Sequence, residues 1–308
     1  MKKKYRLVTR SDMDGLVSAV LLKELGIINS IKFVHPKDMQ DGKIEITPND
    51  ITTNLPYNEK AFLVFDHHES ELMRNSKQDN YVIDVKAPSA ARIVFDYYGG
   101  KEAFPRISDE MMSAVDKADS AQFDMEDVLN PKGWEFLSFL MDSRTGLGRF
   151  REFKIPNYQL MMNLIDFCVT HSIEQIFELS DIKERVELYN RYDKKFRDQL
   201  KRCSTVHKNL VILDLQKEEV IFPGNRFMIY ALFPETNISI HHIWGFKKQN
   251  HVFATGKSIF NRTSNTNIGA LMLKYNGGGH KNAGTCQIDN DKAQEVLQEL
   301  ITQINADG

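Results

Sequence analysis

The sequence predicts an α/β protein with two domains, the first of which has a mainly parallel sheet flanked by helices. Three observations favour this fold class. The chain has 308 residues, which exceeds a typical single-core domain of roughly 100 to 150 residues. Short apolar runs, such as the one at residues 61–65, are continuous, as in strands that are buried on both faces. Helical patterns separate these runs, as they do in parallel sheets.

Strands and helices can be placed in order along the first part of the chain. An apolar run at residues 5–9 predicts a strand, and residues 16–25 predict a buried helix that ends at Gly26. The other predicted strands are at residues 30–34, 61–65 and 81–85. A helix is expected at residues 89–97 because Pro88 precedes it.

The second part of the chain begins with helices and then returns to mixed structure. Helices are predicted at residues 134–141, 158–168, 173–179 and 182–201. Strands are then predicted at residues 210–213, 227–232, 238–244 and 252–255, and helices at 268–275 and 293–304. We therefore expect a first domain at residues 1–180, a helical linker at 181–204 and a smaller α/β domain at 205–308.

Composition and charge exclude several classes of protein. The formal net charge is −2, so no global positive field would draw the chain to long nucleic acid or to an anionic membrane. No apolar run approaches the roughly 18 to 20 residues that cross a bilayer. The basic start of the chain is not followed by a signal-peptide core, and Cys168, Cys203 and Cys286 form no close-spaced pair. A cytoplasmic protein with free thiols and no membrane partner is expected.

An acidic turn follows the first predicted strand. Asp12 and Asp14 stand two residues apart, and Gly15 comes next. Open α/β sheets place their ligand sites at the carboxyl ends of strands, and carboxylate oxygens bind hard divalent cations. The turn is therefore a candidate metal site, although Asp12 would equally suit the N-cap of a solvated turn.

The triplet Asp66-His67-His68 directly follows the predicted strand at residues 61–65. One imidazole offers a nitrogen ligand to a metal and the other can contact a phosphate, while the Asp can orient a ring from behind. The alternative is a pair of histidines in an exposed loop. The position at a strand's carboxyl end favours a functional site.

The two motifs together resemble the DHH phosphoesterase superfamily, which is named after this triplet. Residues 113–123 are similar to the family's fourth motif, in which an Asp near a helix end reaches the metal centre. Asp119 is the better match to that Asp, and Asp116 is the alternative. The resemblance covers nearly the whole chain, and it points to the exopolyphosphatase-related branch, beside the nano-RNase and pAp phosphatase branch.

A glycine-rich segment near the C-terminus extends the resemblance to the DHHA1 domain, which binds the part of the substrate that is not cleaved. Gly278 and Gly279 would let backbone N–H groups approach phosphate oxygens, and His280 would add a donor. Arg262 stands where that domain carries a phosphate-binding residue, although an ordinary surface Arg is the alternative. The resemblance thus implies an active site in the cleft between a DHH and a DHHA1 domain.

Two positions depart from the family pattern. Arg10 lies in the stretch where many relatives carry a His or a further Asp, so one usual metal ligand is missing. Asn54 stands where relatives place a bridging Asp, and an amide oxygen carries no charge to neutralise two dications. Arg10 could replace the positive charge of one metal and grip a phosphate, or it could form a structural salt bridge.

The residues and the resemblance together imply a phosphoesterase that uses one or two Mn²⁺ or Mg²⁺ ions. The implied metal ligands are Asp12, Asp14, Asn54, His67 and Asp119. A metal-activated water would attack the phosphorus, while His68 would contact the scissile phosphate or protonate the leaving oxygen.

The implied substrate is a small phosphate-containing molecule. Short oligonucleotides, dinucleotides, pAp and polyphosphate would all present phosphates to the cleft, but the near-neutral charge does not favour polyphosphate. An alternative from another class is a phosphate-binding sensor or pseudoenzyme with a degenerate metal site, to which Arg10 and Asn54 point. The sequence leaves both a monomer and a homodimer open.

Overall fold

The computed structural model describes residues 3–68, 71, 75, 78–150 and 152–308. The chain divides into two units. The first comprises Met1–Phe123 and Pro131–Leu188, and the second comprises Asp124–Asn130 and Tyr189–Gly308. Each unit combines a sheet with helices, so the predicted α/β class is confirmed. The domain limits drawn from the sequence stay a prediction.

The first unit contains a five-stranded sheet in the order β2-β1-β3-β4-β5, and all its neighbouring strands are parallel. The strands are β1 (Tyr5–Arg10), β2 (Ile28–Val34), β3 (Asp50–Thr53), β4 (Leu63–Asp66) and β5 (Tyr81–Ile83). Val8 and Val64 are fully buried on two of these strands, as the continuous apolar runs predict. Because β1, β3 and β4 are adjacent and parallel, their carboxyl ends lie side by side.

Helices alternate with these strands or follow them along the chain, and several begin at a polar cap. They are α1 (Met13–Glu24), α2 (Pro36–Gln40), α3 (Ala90–Tyr97), α4 (Gly100–Ala103), α5 (Asp109–Ser120), α7 (Gly133–Met141), α8 (Asn157–Thr170) and α9 (Ile173–Phe177), with α6 (Met125–Leu129) in the second unit. Asp12, Ser89 and Ser108 cap α1, α3 and α5 with their side chains. Helix α1 is buried along most of its length and packs against α3, α5 and α8.

The second unit contains a six-stranded sheet in the order β10-β11-β9-β8-β7-β6. Its strands are β6 (Ser204–His207), β7 (Leu210–Asp214), β8 (Ile238–Trp244), β9 (His251–Lys257), β10 (Gly278–His280) and β11 (Ala283–Ile288). Strands β7 and β8 are parallel, and the other pairs are antiparallel. Its helices after α10 (Ser180–Cys203) are α11 (Met228–Leu232), α12 (Ile268–Leu273) and α13 (Ala293–Asp307). No helix within the described ranges is long and apolar enough to cross a membrane.

One predicted strand is wrong. The run at residues 227–232 forms helix α11. The Asn225 side chain accepts a hydrogen bond from the backbone N–H of Phe227 at 2.9 Å, and the Asn225 carbonyl accepts one from Met228 at 3.0 Å, so a helical turn starts there. A short, wholly apolar run fits a buried helix as well as a buried strand, and local hydrogen bonding decides between them.

Candidate metal centre and catalytic site

The predicted site positions follow three adjacent strand ends. Arg10 ends β1, Asn54 follows β3 and His67 follows β4. The ends of β1 and β3 are level because Thr9 pairs with Thr53 in the parallel register. The Thr53 hydroxyl donates to the Thr9 hydroxyl at 2.7 Å, and the Thr9 hydroxyl donates to the Thr53 carbonyl at 3.1 Å. These two buried hydrogen bonds hold the carboxyl ends of β1 and β3 together, and the candidate site lies at this edge of the sheet.

The side chains of Asp14, His67 and Asp119 meet at this edge. One ligand atom from each lies within 4.8 Å of the other two, and Nε2 of His67 is 2.6 Å from Oδ2 of Asp119. Carboxylate oxygens suit Mg²⁺ and Mn²⁺, and an imidazole suits many transition metals. The three residues therefore form a candidate site for a divalent metal.

Backbone groups hold two of the three side chains. The Asp14 carboxylate accepts hydrogen bonds from the first N–H groups of α3, with Ala91 N at 2.6 Å and Ala90 N at 3.0 Å. These N–H groups have no partner inside their own helix. Nδ1 of His67 lies 3.3 Å from the carbonyl oxygen of Ala87, so it can donate there and leave Nε2 with a lone pair for a metal.

Negative charge dominates the centre of this group. Burial raises the pKa of Asp14 well above its usual value, and the nearby Asp119 carboxylate raises it further. Burial alone would lower the pKa of His67, but the hydrogen bond and charge of Asp119 and the charge of Asp14 raise it to about 9. Buried carboxylates this close together are stabilised by a proton or a cation between them. A divalent metal ion would meet this need.

Asn54 follows β3, the strand between the one that precedes the acidic turn and the one that precedes the Asp-His-His triplet. The environment of its side chain is unusual. It is 1% exposed, and neither its side-chain oxygen nor its nitrogen has a hydrogen-bond partner among the described residues. Its φ of 55° is a left-handed conformation that Asn tolerates better than most residues. An unpaired buried polar group costs about 1 to 3 kcal/mol, so Asn54 is a group that a ligand, an ion or a water would satisfy.

Arg10 and Asp12 form an ion pair. Nε of Arg10 lies 2.8 Å from Oδ2 of Asp12, while Oδ1 of Asp12 accepts the N–H of Gly15 at 3.1 Å. Burial raises the pKa of Asp12, and Arg10 offsets only part of that rise. A Cβ on Gly15 would lie 1.8 Å from the Arg10 carbonyl oxygen, so only glycine fits there. Asp12 thus already has a cationic partner and a helix-capping role.

His68 points its ring toward the first residue of its own triplet. Its Nδ1 lies 2.7 Å from Oδ1 of Asp66, which is fully buried and also accepts a hydrogen bond from the Tyr81 hydroxyl at 3.3 Å. A carboxylate that contacts Nδ1 fixes the orientation of the ring. Since the His68 side chain is 35% exposed, Nε2 is available to a substrate.

Asp116, the alternative to Asp119, has other partners. Its carboxylate accepts hydrogen bonds from Arg92 Nη2 at 2.7 Å and Nε at 3.0 Å, and from the Ser89 hydroxyl at 2.8 Å. These bonds tie α5 to the start of α3. Asp119, one helical turn further along α5, is the residue beside His67.

The two aspartates should therefore respond differently to amidation. We expect Asp119→Asn to weaken Mn²⁺ binding by at least about tenfold, because altered metal environments typically lose 10- to 100-fold in affinity. The matched variant Asp116→Asn should bind Mn²⁺ within about twofold of the wild type, because it alters only the contacts of Asp116 with Arg92 and Ser89. Calorimetric titration of both variants measures this. Equal weakening in the two would contradict the assignment of Asp119.

Arg144 is a charged residue of this site that sequence reasoning did not single out. Its Nη2 lies 2.7 Å from Oδ2 of Asp142, and Nε lies 2.7 Å from Oδ1. Burial lowers the pKa of Arg144, but the charges of Asp142, Asp12 and Asp119 raise it overall. The guanidinium is thus near the acidic centre. The signal that could have found it is the segment at residues 142–149, whose sequence alone assigns no chemical role.

The predicted substrate contacts of the C-terminal region lie in the second unit. Gly278, Gly279 and His280 form the exposed strand β10, paired with β11. A Cβ on Gly279 would lie 2.3 Å from the carbonyl oxygen of Ala283, so the glycine permits close strand pairing. Arg262 is exposed, and its Nε donates to the carbonyl of Ile259 at 2.9 Å. Their roles in substrate binding stay predictions.

Comparison with known proteins defines the class. No protein-family model and no curated protein matched the sequence. Solved structures did match, and the chain belongs to the DHH phosphoesterase superfamily. It is similar to the pGpG-specific phosphodiesterase PggH from Vibrio cholerae, with 61% identity and a TM-score of 0.90 over 99% of this chain and 100% of that one. The chain is therefore an enzyme, a phosphoesterase, and the predicted family and enzyme class are confirmed.

More distant structures share the fold alone. RecJ from Thermus thermophilus, in complex with Mn²⁺, is 11% identical with a TM-score of 0.54, over 99% of this chain and 52% of that one. CDC45 from Entamoeba histolytica is 10% identical with a TM-score of 0.51, over 99% and 96%. At such low identity, the likeness to these two structures concerns the fold and not the substrate or the metal.

Proposed function

We propose that the chain is a metal-dependent phosphodiesterase that hydrolyses the dinucleotide pGpG to two molecules of GMP. The observation that carries this proposal is 61% identity along the whole chain to an enzyme of that stated specificity. The group of Asp14, His67 and Asp119 supports metal dependence. The net charge of −2 does not favour polyphosphate, which would need a long basic track.

The site supports one divalent ion, Mn²⁺ or Mg²⁺, held by Asp14, His67 and Asp119. When bound, such an ion would activate a water molecule and neutralise charge on the phosphate. Asp12 is engaged with Arg10 at 2.8 Å, so a fixed guanidinium supplies positive charge where a second cation would otherwise be needed. Asn54, which carries no charge, fits a centre with a single ion.

The remaining charged residues bind the phosphate or donate a proton. Arg10 and Arg144 bring two guanidinium groups to the acidic centre and bind the non-bridging oxygens of the scissile phosphate. His68, backed by the buried Asp66 carboxylate at 2.7 Å, donates a proton from Nε2 to the leaving oxygen. This proton converts the departing group to a neutral hydroxyl as water adds to phosphorus.

A substrate panel tests the proposal. Purified protein is incubated with pGpG, pApA, pAp and polyphosphate in Mn²⁺, in Mg²⁺ and in EDTA, and the products are separated by chromatography. We expect GMP from pGpG at a rate well above that from the other substrates, and no turnover in EDTA because the acidic centre then lacks its cation. Unchanged turnover in EDTA, or no turnover of any dinucleotide, would contradict the proposal.

A further inference from the structure

A cavity of about 810 Å³ opens in the first unit, and the function proposed above does not use it. Its volume falls within the range of about 300 to 1,000 Å³ typical of small-molecule sites. It is lined by residues 140–143, 146–149 and 153–157 and by Arg185, and we call it the 140–157 pocket. Its apolar lining includes Leu140, Leu147, Phe153 and Ile155. Apolar walls with a few polar groups suit a ligand that has both a ring and a charged group.

Arg149 is a cation in the lining of this pocket, and its side chain has no hydrogen-bond or ion-pair partner among the described residues. Its guanidinium lies directly over Gly146, where an added Cβ would be 2.0 Å from Nη2. Gly146 has a φ of 84°, which glycine adopts without strain. Partial burial lowers the pKa of Arg149, and a partly dehydrated guanidinium favours an anion with two oxygens to receive its paired N–H groups.

Two chains of contacts lead from the lining of the pocket toward the acidic centre. Asp142 lines the pocket and binds Arg144 at 2.7 Å, whose charge acts on Asp119. Helix α8, whose first residue lines the pocket, carries Met161, and the Ser11 hydroxyl of the acidic turn contacts its sulfur at 3.1 Å. These contacts connect the lining of the pocket to Arg144 and to the acidic turn.

The wall of the pocket is held rigidly. The Arg185 guanidinium lies 4.2 Å from the centroid of the Phe153 ring, and its Nη2 donates to the carbonyl oxygen of Ile155 at 2.9 Å. Arg185 covers one face of the Phe153 ring, and the opposite face suits a planar base, because stacking needs an oriented ring. The pocket thus offers an aromatic ring, Phe153, for a nucleobase and a cation, Arg149, for a phosphate.

Resting on the proposed hydrolysis of pGpG, we propose that the 140–157 pocket binds the 5′ nucleotide of the substrate, with Arg149 holding its terminal phosphate. A terminal phosphate carries a charge of about −1.5 to −2, which matches the unpaired guanidinium. The dinucleotide GpG lacks only this phosphate. In this proposal Arg149 gives the enzyme its preference for 5′-phosphorylated dinucleotides, in place of Arg262 and His280, to which the family resemblance assigns the uncleaved part of the substrate.

The substitution Arg149→Gln tests this with pGpG and GpG as paired substrates. We expect kcat/KM for pGpG to fall by about 10- to 100-fold, mostly through KM, because charge-assisted hydrogen bonds are lost. Cleavage of GpG should not change, so the preference for pGpG disappears. Gly146→Ala, which displaces the guanidinium, should reproduce this pattern, and the exposed Arg106→Gln should not. Equal loss for pGpG and GpG, or no loss, would overturn the proposal.

A second measurement separates this proposal from the proposed function. If the wild type cleaves neither dinucleotide, the proposed function fails, and GMP is then titrated into wild type and Arg149→Gln by calorimetry. Weaker GMP binding in Arg149→Gln by about tenfold or more would support the phosphate site. Equal GMP affinity in the two proteins would overturn it.

Discussion

Replacing His67 by alanine should lower kcat/KM for pGpG by about a thousandfold or more and should leave the fold intact. Nε2 of His67 lies 2.6 Å from Asp119, inside the group that would hold the ion. A catalytic metal supplies several kcal/mol of transition-state stabilisation, and about 4 kcal/mol corresponds to a thousandfold in rate. Activity is measured with saturating Mn²⁺, and circular dichroism checks the fold.

Two other histidine variants serve as controls for this result. His171→Ala, at the end of α8, should retain nearly full activity. His68→Ala should lose about 100-fold, as expected for a proton donor, and should still bind Mn²⁺. A His67→Ala enzyme that is folded and keeps more than about a tenth of the activity would contradict the assignment of His67 as a metal ligand.

Replacing Arg185 by alanine should lower the free energy of unfolding by about 3 to 5 kcal/mol. Arg185 is 1% exposed, donates to the carbonyl oxygens of Asp181 at 2.7 Å and Ile155 at 2.9 Å, and lies 3.2 Å from Glu184. The alanine variant would leave a cavity, remove a donor from two partly buried carbonyls and remove the cationic partner of Glu184. Chemical denaturation measures the change.

An exposed arginine provides the matched control. Arg106 makes a two-pronged ion pair with Glu24 at 2.6 and 2.7 Å, but it is 62% exposed. Solvent-exposed pairs contribute about 0 to 1 kcal/mol, so Arg106→Ala should cost less than Arg185→Ala by several-fold. Comparable losses in the two variants would show that burial of Arg185 does not determine its contribution.

The parallel sheet and its functional edge could be predicted from the sequence because the pattern is local. A continuous apolar run followed at once by Asp66 and His67 places these residues at a strand's carboxyl end. The same holds for the acidic turn after β1. Since parallel strands end at one edge, residues remote in sequence converge there, and the structure brings Asp14 and His67 together.

Other features depend on tertiary contacts that no local pattern reveals. The run at residues 227–232 is apolar throughout, so its period does not distinguish a strand from the helix that forms. The Arg10 side chain could have met several carboxylates, and only the geometry shows it on Asp12 at 2.8 Å. Arg144 and Arg149 likewise stand in a segment whose 3₁₀ turns, Ser143–Thr145 and Leu147–Arg149, set the direction of each side chain.

A crystal structure of the protein grown with Mn²⁺ tests the central claim most directly, through the anomalous scattering of the ion. We predict one strong anomalous peak within about 2.0 to 2.5 Å of side-chain atoms of Asp14, His67 and Asp119. A fully occupied ion held elsewhere, or no peak among these three side chains at saturating Mn²⁺, would contradict it.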